Sequence, residues 1–178
     1  MNKLKESIKS GFPETISFPT ELGLLCDWHE ENGYPISGSF ELRADDGKAI
    51  YYWFRSHAAD HYLAQFGAGA DGSLYCIWKQ KDGREPIVHL GSEGDALMVL
   101  AANMRDFIRL LALGYDEIGF EDMSVAPSDA ECINPNFQAW VTETLGLVIP
   151  DRGSEITNAA SKEHDDFEAF VSAIHSEN

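Results

Sequence analysis

Positive charge is what this chain has least of. Thirteen Lys and Arg stand against 30 Asp and Glu in 178 residues, a formal net charge of −17, and the basic residues form no cluster of any length. Nonspecific nucleic-acid binding draws on counterions released by grouped Lys and Arg, so DNA, RNA and anionic membranes are poor partners for such a chain. Cysteine is also sparse: Cys26, Cys76 and Cys132 are isolated and odd in number, which fits a reducing compartment better than a disulfide framework or a CxxC metal site. Long apolar runs are missing too. A membrane-spanning helix needs roughly 18–20 apolar residues, and the run from Ala96 to Ala102 ends at Asn103. The segment from Met1 to Ser7 leads to no apolar stretch and no small-residue cleavage site, so a cytoplasmic location is expected.

What remains is sufficient for a folded core. The chain is 44% hydrophobic and 11% aromatic, and one of this length buries roughly 70% of its unfolded surface. Global disorder is excluded, and one domain is expected.

The first helical run ends at Ser10-Gly11-Phe12-Pro13. A second starts where Thr20 is placed to cap after Pro19, carries Leu24, Leu25 and Trp28, and stops at Asn32-Gly33. Phe40, Leu42 and Ala44 alternate with Glu41 and Arg43, the period of a half-buried strand, and Asp46-Gly47 follows as a turn. Ala49 to Phe54, apolar on both faces, reads as a returning central strand. Asp71-Gly72 precedes Ser73 to Lys79 and Asp82-Gly83 precedes Pro86 to Leu90, so three Asp-Gly turns predict an antiparallel meander. Met104, Phe107, Ile108 and Leu111 then recur at helical spacing between a cap at Asn103 and a stop at Gly114. Asn134-Pro135 opens another helix through Phe137, Trp140, Val141 and Leu145. Phe167, Phe170, Val171 and Ile174 mark the last one, and the polar stretch from Arg152 to Ser161 reads as a flexible connection to it.

Few motifs offer chemistry. Gly67-Ala68-Gly69-Ala70-Asp71-Gly72 matches G-x-G-x-x-G, but a strand pattern follows it instead of a helix, so a hairpin loop is expected. His57-Ala58-Ala59-Asp60-His61 resembles the inverted zinc-protease pattern with Asp for Glu. If extended, its two imidazoles stand about 13 Å apart, and no third ligand is evident, so a polar loop or helix start is expected, with a metal-dependent hydrolase using His57 and His61 with Asp60 as the lesser alternative. Cys76 lies in phase with Leu74 and Trp78 as a small core residue. His89 reads as a partly covered strand residue, and no Ser or Cys sits on a nucleophile elbow. No catalytic residue, metal or cofactor is expected.

The block Pro86-Ile87-Val88-His89-Leu90-Gly91-Ser92-Glu93-Gly94, followed by Leu100-Ala101-Ala102-Asn103 and by Phe107 to Tyr115, resembles the SUKH superfamily of Smi/Knr-like proteins. Pro19-Thr20-Glu21-Leu22 leading to Trp28 and Asn32-Gly33, and Phe66-Gly67 through Gly72-Ser73 to Trp78, agree in order. The resemblance spans about residues 13 to 115. It implies an α+β fold, a mainly antiparallel sheet with flanking helices. It also implies a non-enzymatic role, frequently that of a bacterial immunity protein that binds and neutralises a polymorphic toxin. Other members are scaffolding or regulatory proteins, some in cell-envelope processes. The expected organisation is a SUKH-like domain over residues 1–150, with a polar connection and C-terminal helix over 151–178 packed on or beside it. Glu93, in the turn after a strand, either contacts a ligand or partner or supports its turn by bonding backbone N–H groups, and the second is expected.

No basic residue occurs between Arg109 and Arg152, while acidic residues accumulate there. Such a tract is either a solvated surface that maintains solubility or a binding face for a basic partner. As a binding face it offers Glu117, Glu121, Asp122, Asp129 and Glu131, with Phe120 and Met123 as apolar anchors, and a toxin with a basic surface as the partner.

Overall fold

The computed structural model describes residues 2–176. Among these are a five-stranded sheet and seven α-helices, in the order α1 (Lys3–Ser10), α2 (Thr20–Asn32), β1 (Glu41–Leu42), α3 (Ala49–Phe54), β2 (Leu63–Ala68), β3 (Leu74–Trp78), β4 (Ile87–Leu90), β5 (Met98–Ala101), α4 (Met104–Leu111), α5 (Pro135–Ala139), α6 (Ser154–Glu163) and α7 (Phe167–Ser176). The strands pair in sequence order and every pairing is antiparallel. The fold is therefore α+β, a meander with flanking helices.

The sheet is covered on both faces, which is why β2, β3 and β4 are buried along their whole length instead of alternating. Alternate strand residues feed two cores. Phe66, Tyr75, Ile77 and Ile87 join α1, α2, α4 and α5 in the larger one. Leu63, Cys76, Trp78, Val88 and Leu90 join α3 and α7 in the other. Phe107 of α4 centres the first core, with ring centroids 5.5 Å from Phe40, 5.3 Å from Phe66 and 5.9 Å from Tyr75.

Several helix boundaries follow the sequence pattern. Asn103 accepts a hydrogen bond from the Asp106 N–H at 3.0 Å, and Asn134 accepts one from Phe137 at 3.1 Å ahead of Pro135 at the first helical position. Thr20 differs from its expected role: it is the first residue of α2, which begins without a side-chain cap. The helix after Asn134 continues past α5 with one wider turn, Trp140–Thr144.

Three expectations for the chain path are corrected. Ala49–Phe54 is a helix, not a central strand. The Asp45 carboxylate collects the N–H groups of Gly47, Lys48 and Ala49 at 2.9, 3.0 and 3.1 Å and so starts a helical turn. Burying only Ile50 and Phe54, four apart, then satisfies the second core while Tyr51 and Tyr52 face outward. Asp46-Gly47 accordingly leads into a helix and joins no two strands. The stretch from Arg152 to Ser161 is no flexible connection, because most of it forms α6. That helix puts Ile156 into the first core and Ala160 into the second, so residue 150 marks no break in packing. Positions 1, 177 and 178 of the expected division lie outside the described residues.

Helix α6 lies along β5, and the Ser161 hydroxyl donates to the Val99 carbonyl at 3.2 Å. Beyond it, α7 is tied to the β3–β4 hairpin through Gln80, whose amide donates to Asp166 at 3.0 Å and whose oxygen lies 2.6 Å from His164 Nδ1.

Candidate acidic docking loop

The acidic tract is a fixed structure, and Tyr115 fixes it. This side chain is 1% exposed. Its hydroxyl donates to the Val125 carbonyl at 2.6 Å and accepts the Gly153 N–H at 2.9 Å, joining the loop to the start of α6. The Ser154 N–H donates to the Met123 carbonyl at 2.8 Å beside it. On the sheet side, Tyr75 donates its hydroxyl to the Ile118 carbonyl at 3.1 Å. Ser39 holds Asp116 twice, by N–H to its carbonyl at 2.9 Å and by hydroxyl to its carboxylate at 2.5 Å.

The carboxylates organise the loop locally. Glu121 accepts the Glu117 N–H at 2.9 Å. Asp122 accepts both the hydroxyl and the N–H of Ser124, which holds its carboxyl below the ordinary carboxylate range. Asp129 accepts the Glu131 N–H at 2.9 Å. Each uses one oxygen in this way, and Glu117, Asp122, Asp129 and Glu131 are exposed. A segment ordered before contact loses less conformational freedom on binding.

The expected apolar anchors divide. Phe120 is 46% exposed, standing edge-on to His89 at 5.5 Å. Met123 is only 6% exposed and packs in the first core against the start of α6, so it is no surface anchor. Val125, 54% exposed two residues on, presents the apolar surface instead. In an irregular loop no periodicity tells which of Met123 and Val125 turns inward. The backbone on either side of Ser124 is held by the Ser154 N–H at the Met123 carbonyl and by the Tyr115 hydroxyl at the Val125 carbonyl, contacts with no sequence signature.

The loop sits at the end of the sheet that carries the β2–β3 and β4–β5 turns. Asp71 and Asp95 from these turns act electrostatically on His89, as Asp71 and Glu117 do on Tyr75. Asp71 itself, pushed up by partial burial, is drawn below its ordinary value by hydrogen bonds from Ser73 and Ser92. The acidic face thus extends from 116–131 to these turns. Glu93 does not brace its turn as expected. Gly94 N–H donates to the Gly91 carbonyl and Gly91 N–H to the Asp95 carbonyl, leaving Glu93 exposed and unused. His89 differs as well, being fully buried where partial cover was expected.

The other motifs are placed elsewhere. Residues 57–62 run through turns. His57 pairs with Asp60 at 2.8 Å and stacks on Tyr51 at 4.5 Å between centroids. Among the described residues no three His, Cys, Asp or Glu side chains gather around one point as metal ligands would. Gly67 lies in β2, and Gly69 and Gly72 form the hairpin turn into β3. Cys76 is fully buried, and burial raises its thiol well above the ordinary range. A cleft of about 320 Å³ lies at the opposite end of the sheet, floored by Ile77, Ile87 and Met104 and rimmed by Glu21, Glu85 and Arg105. Glu85 is engaged by Lys79 at 2.6 Å.

Removing the Tyr115 hydroxyl tests the anchoring. Tyr115→Phe leaves the buried Gly153 N–H without its acceptor and is expected to cost about 1–3 kcal/mol. Hydrogen exchange should accelerate at Gly153 and along 117–125 more than in α4. Uniform acceleration would show that the hydroxyl serves general stability and not this loop.

Among the described residues no helix is long and apolar enough to cross a membrane. No family model matches the chain, and neither a curated protein nor a solved structure matches it.

Proposed function

We propose that the chain is a non-enzymatic protein-binding domain of SUKH type, an immunity protein that occupies the basic surface of a toxin from the cytoplasm. The observation that carries this reading is the pre-ordered loop at 116–131, which offers Phe120 and Val125 among outward-facing carboxylates. Apolar side chains ringed by charge of one sign give a partner both an anchor and an electrostatic target. The antiparallel sheet between helices also agrees with the architecture that the SUKH resemblance implies. A toxin acting on nucleic acid commonly carries a basic cleft, and an acidic protein with net charge −17 is steered towards it.

The test is capture from the native cells at two salt concentrations, followed by affinity measurement with the purified partner. The reading expects one stoichiometric partner with a toxic domain. Reversing Glu121 and Asp122 to Lys should weaken that complex about tenfold or more and flatten its salt dependence. Unchanged affinity would move the interface off this loop. Capture of many cellular proteins with no toxin among them would replace immunity by a scaffolding or regulatory role.

A further inference from the structure

His89 is buried completely beneath the loop just described. Its Nδ1 lies 2.8 Å from the Ala96 carbonyl, which can only accept, so the neutral ring carries its proton on Nδ1. Its Nε2 has no hydrogen-bond partner. Every element around the ring is closely packed. Tyr75 of β3 stands edge-on at 5.2 Å, and its hydroxyl is committed to Ile118. Ala96 holds the side towards β5. Gly119 covers the ring so closely, at a φ of +98°, that a β-carbon there would lie 2.8 Å from Cε1. Phe120 closes the outside. The charged groups that face His89 are Asp71 from the β2–β3 turn and Asp95 from the β4–β5 turn; neither forms a hydrogen bond to it.

Protonation would give this pocket a second N–H that has no acceptor, and a buried cation without one is costly. Burial therefore prevails over the Ala96 bond and the two carboxylates and holds the imidazole below its ordinary 6.5. Since the native value is depressed, the neutral packed arrangement is fully favoured above about pH 6.5 and loses ground as pH falls through the native value.

We propose that His89 is a proton-operated latch on the acidic loop. Neutral, it seats Gly119 and Phe120; protonated, it turns Nε2–H towards water and the carboxylates and lifts the segment 117–121. The loop is then presented at neutral pH and withdrawn in mild acid. The consequence for partner release rests on the docking reading above, but the latch is a property of the free protein.

The experiment uses the free full-length chain. Its histidine titrations are followed by NMR, and hydrogen exchange is measured from pH 5 to 8 and normalised for intrinsic rates. Protection of 117–122 is expected to fall about tenfold for each unit by which the native pKa lies below the unfolded one. The midpoint should track His89, and α4 should stay protected. In His89→Phe the same amides should show no such step. If that variant does not fold, His89→Gln, which retains a donor for the Ala96 carbonyl, serves instead. His164→Gln is the control: His164 is also buried, with Nε2 4.0 Å from Glu163 and Nδ1 on Gln80, at the far end of β3. That variant should keep the response. Loop protection that is constant in the wild type, or a step that survives in a folded His89 variant, would overturn the latch. Neither result touches the docking reading, which the Glu121 and Asp122 reversals decide at neutral pH.

Discussion

Phe107→Ala is expected to lower the free energy of unfolding by about 3–5 kcal/mol. The residue is fully buried and touches Phe40, Phe66 and Tyr75 at centroid separations of 5.5, 5.3 and 5.9 Å. Truncation removes both the transfer energy of the ring and the edge-to-face contacts of the group. Helix α4 packs against β5 and α2, and the close packing around the ring limits how far the void can collapse. Domains of this kind have only about 5–15 kcal/mol in total. The variant therefore gives up between about a fifth and all of that stability. Urea titration would show a lower midpoint at unchanged slope. A loss below about 1 kcal/mol would mean that the four rings do not form the centre of the core.

Gly38→Ala is the second large effect, and its cause is the approach of two backbones. At a φ of +48°, a β-carbon on residue 38 would stand 2.2 Å from the Tyr115 carbonyl oxygen and 2.7 Å from that of Asp116. These are main-chain atoms and cannot swing aside like a side-chain tip. Overpacking costs about 1–3 kcal/mol, and the left-handed conformation adds about 1–2 kcal/mol for a residue with a β-carbon. Gly38 N–H donates to the Cys132 carbonyl and the next N–H to that of Asp116, so both ends of the acidic loop should shift together. Gly47→Ala is the comparison. It shares the left-handed cost, at φ +81°, but nothing lies within 4 Å. The difference in unfolding free energy between the two variants isolates the steric part. Equal values would show that the chain at 38 and 115 relaxes freely.

The meander was legible because its turns are local chemistry. Asp71-Gly72 and Asp82-Gly83 each place a tight turn where β3 and β4 begin or are joined, and those hairpins form as their sequence asks. Helix α4 was equally plain, since an Asn cap and apolar residues at i, i+3, i+4 and i+7 require no tertiary help. Helix α3 was hidden because Tyr51, Tyr52 and Trp53 favour strands when judged one by one. The i, i+4 pair Ile50 and Phe54, following Asp45, was the available signal. Helix α6 was hidden by polarity. Only Ile156, Thr157 and Ala160 are buried in it, because much of its surface meets solvent while its inner face lies along a strand. At the candidate site the run of acidic residues was visible from charge, and the exposure of Phe120 agrees with its place among them. The exchange of Met123 for Val125 could not, because it depends on a hydroxyl from Tyr115 and on a helix some thirty residues downstream.

The position of α6 along β5 closes that edge of the sheet to one mode of recognition. A protein that binds by adding a strand needs unpaired carbonyl and N–H groups on an outer strand. On β5 the Val99 carbonyl already receives the Ser161 hydroxyl, and the helix lies where an added strand would run. Recognition at that margin must then read side chains and shape instead of a repeating backbone.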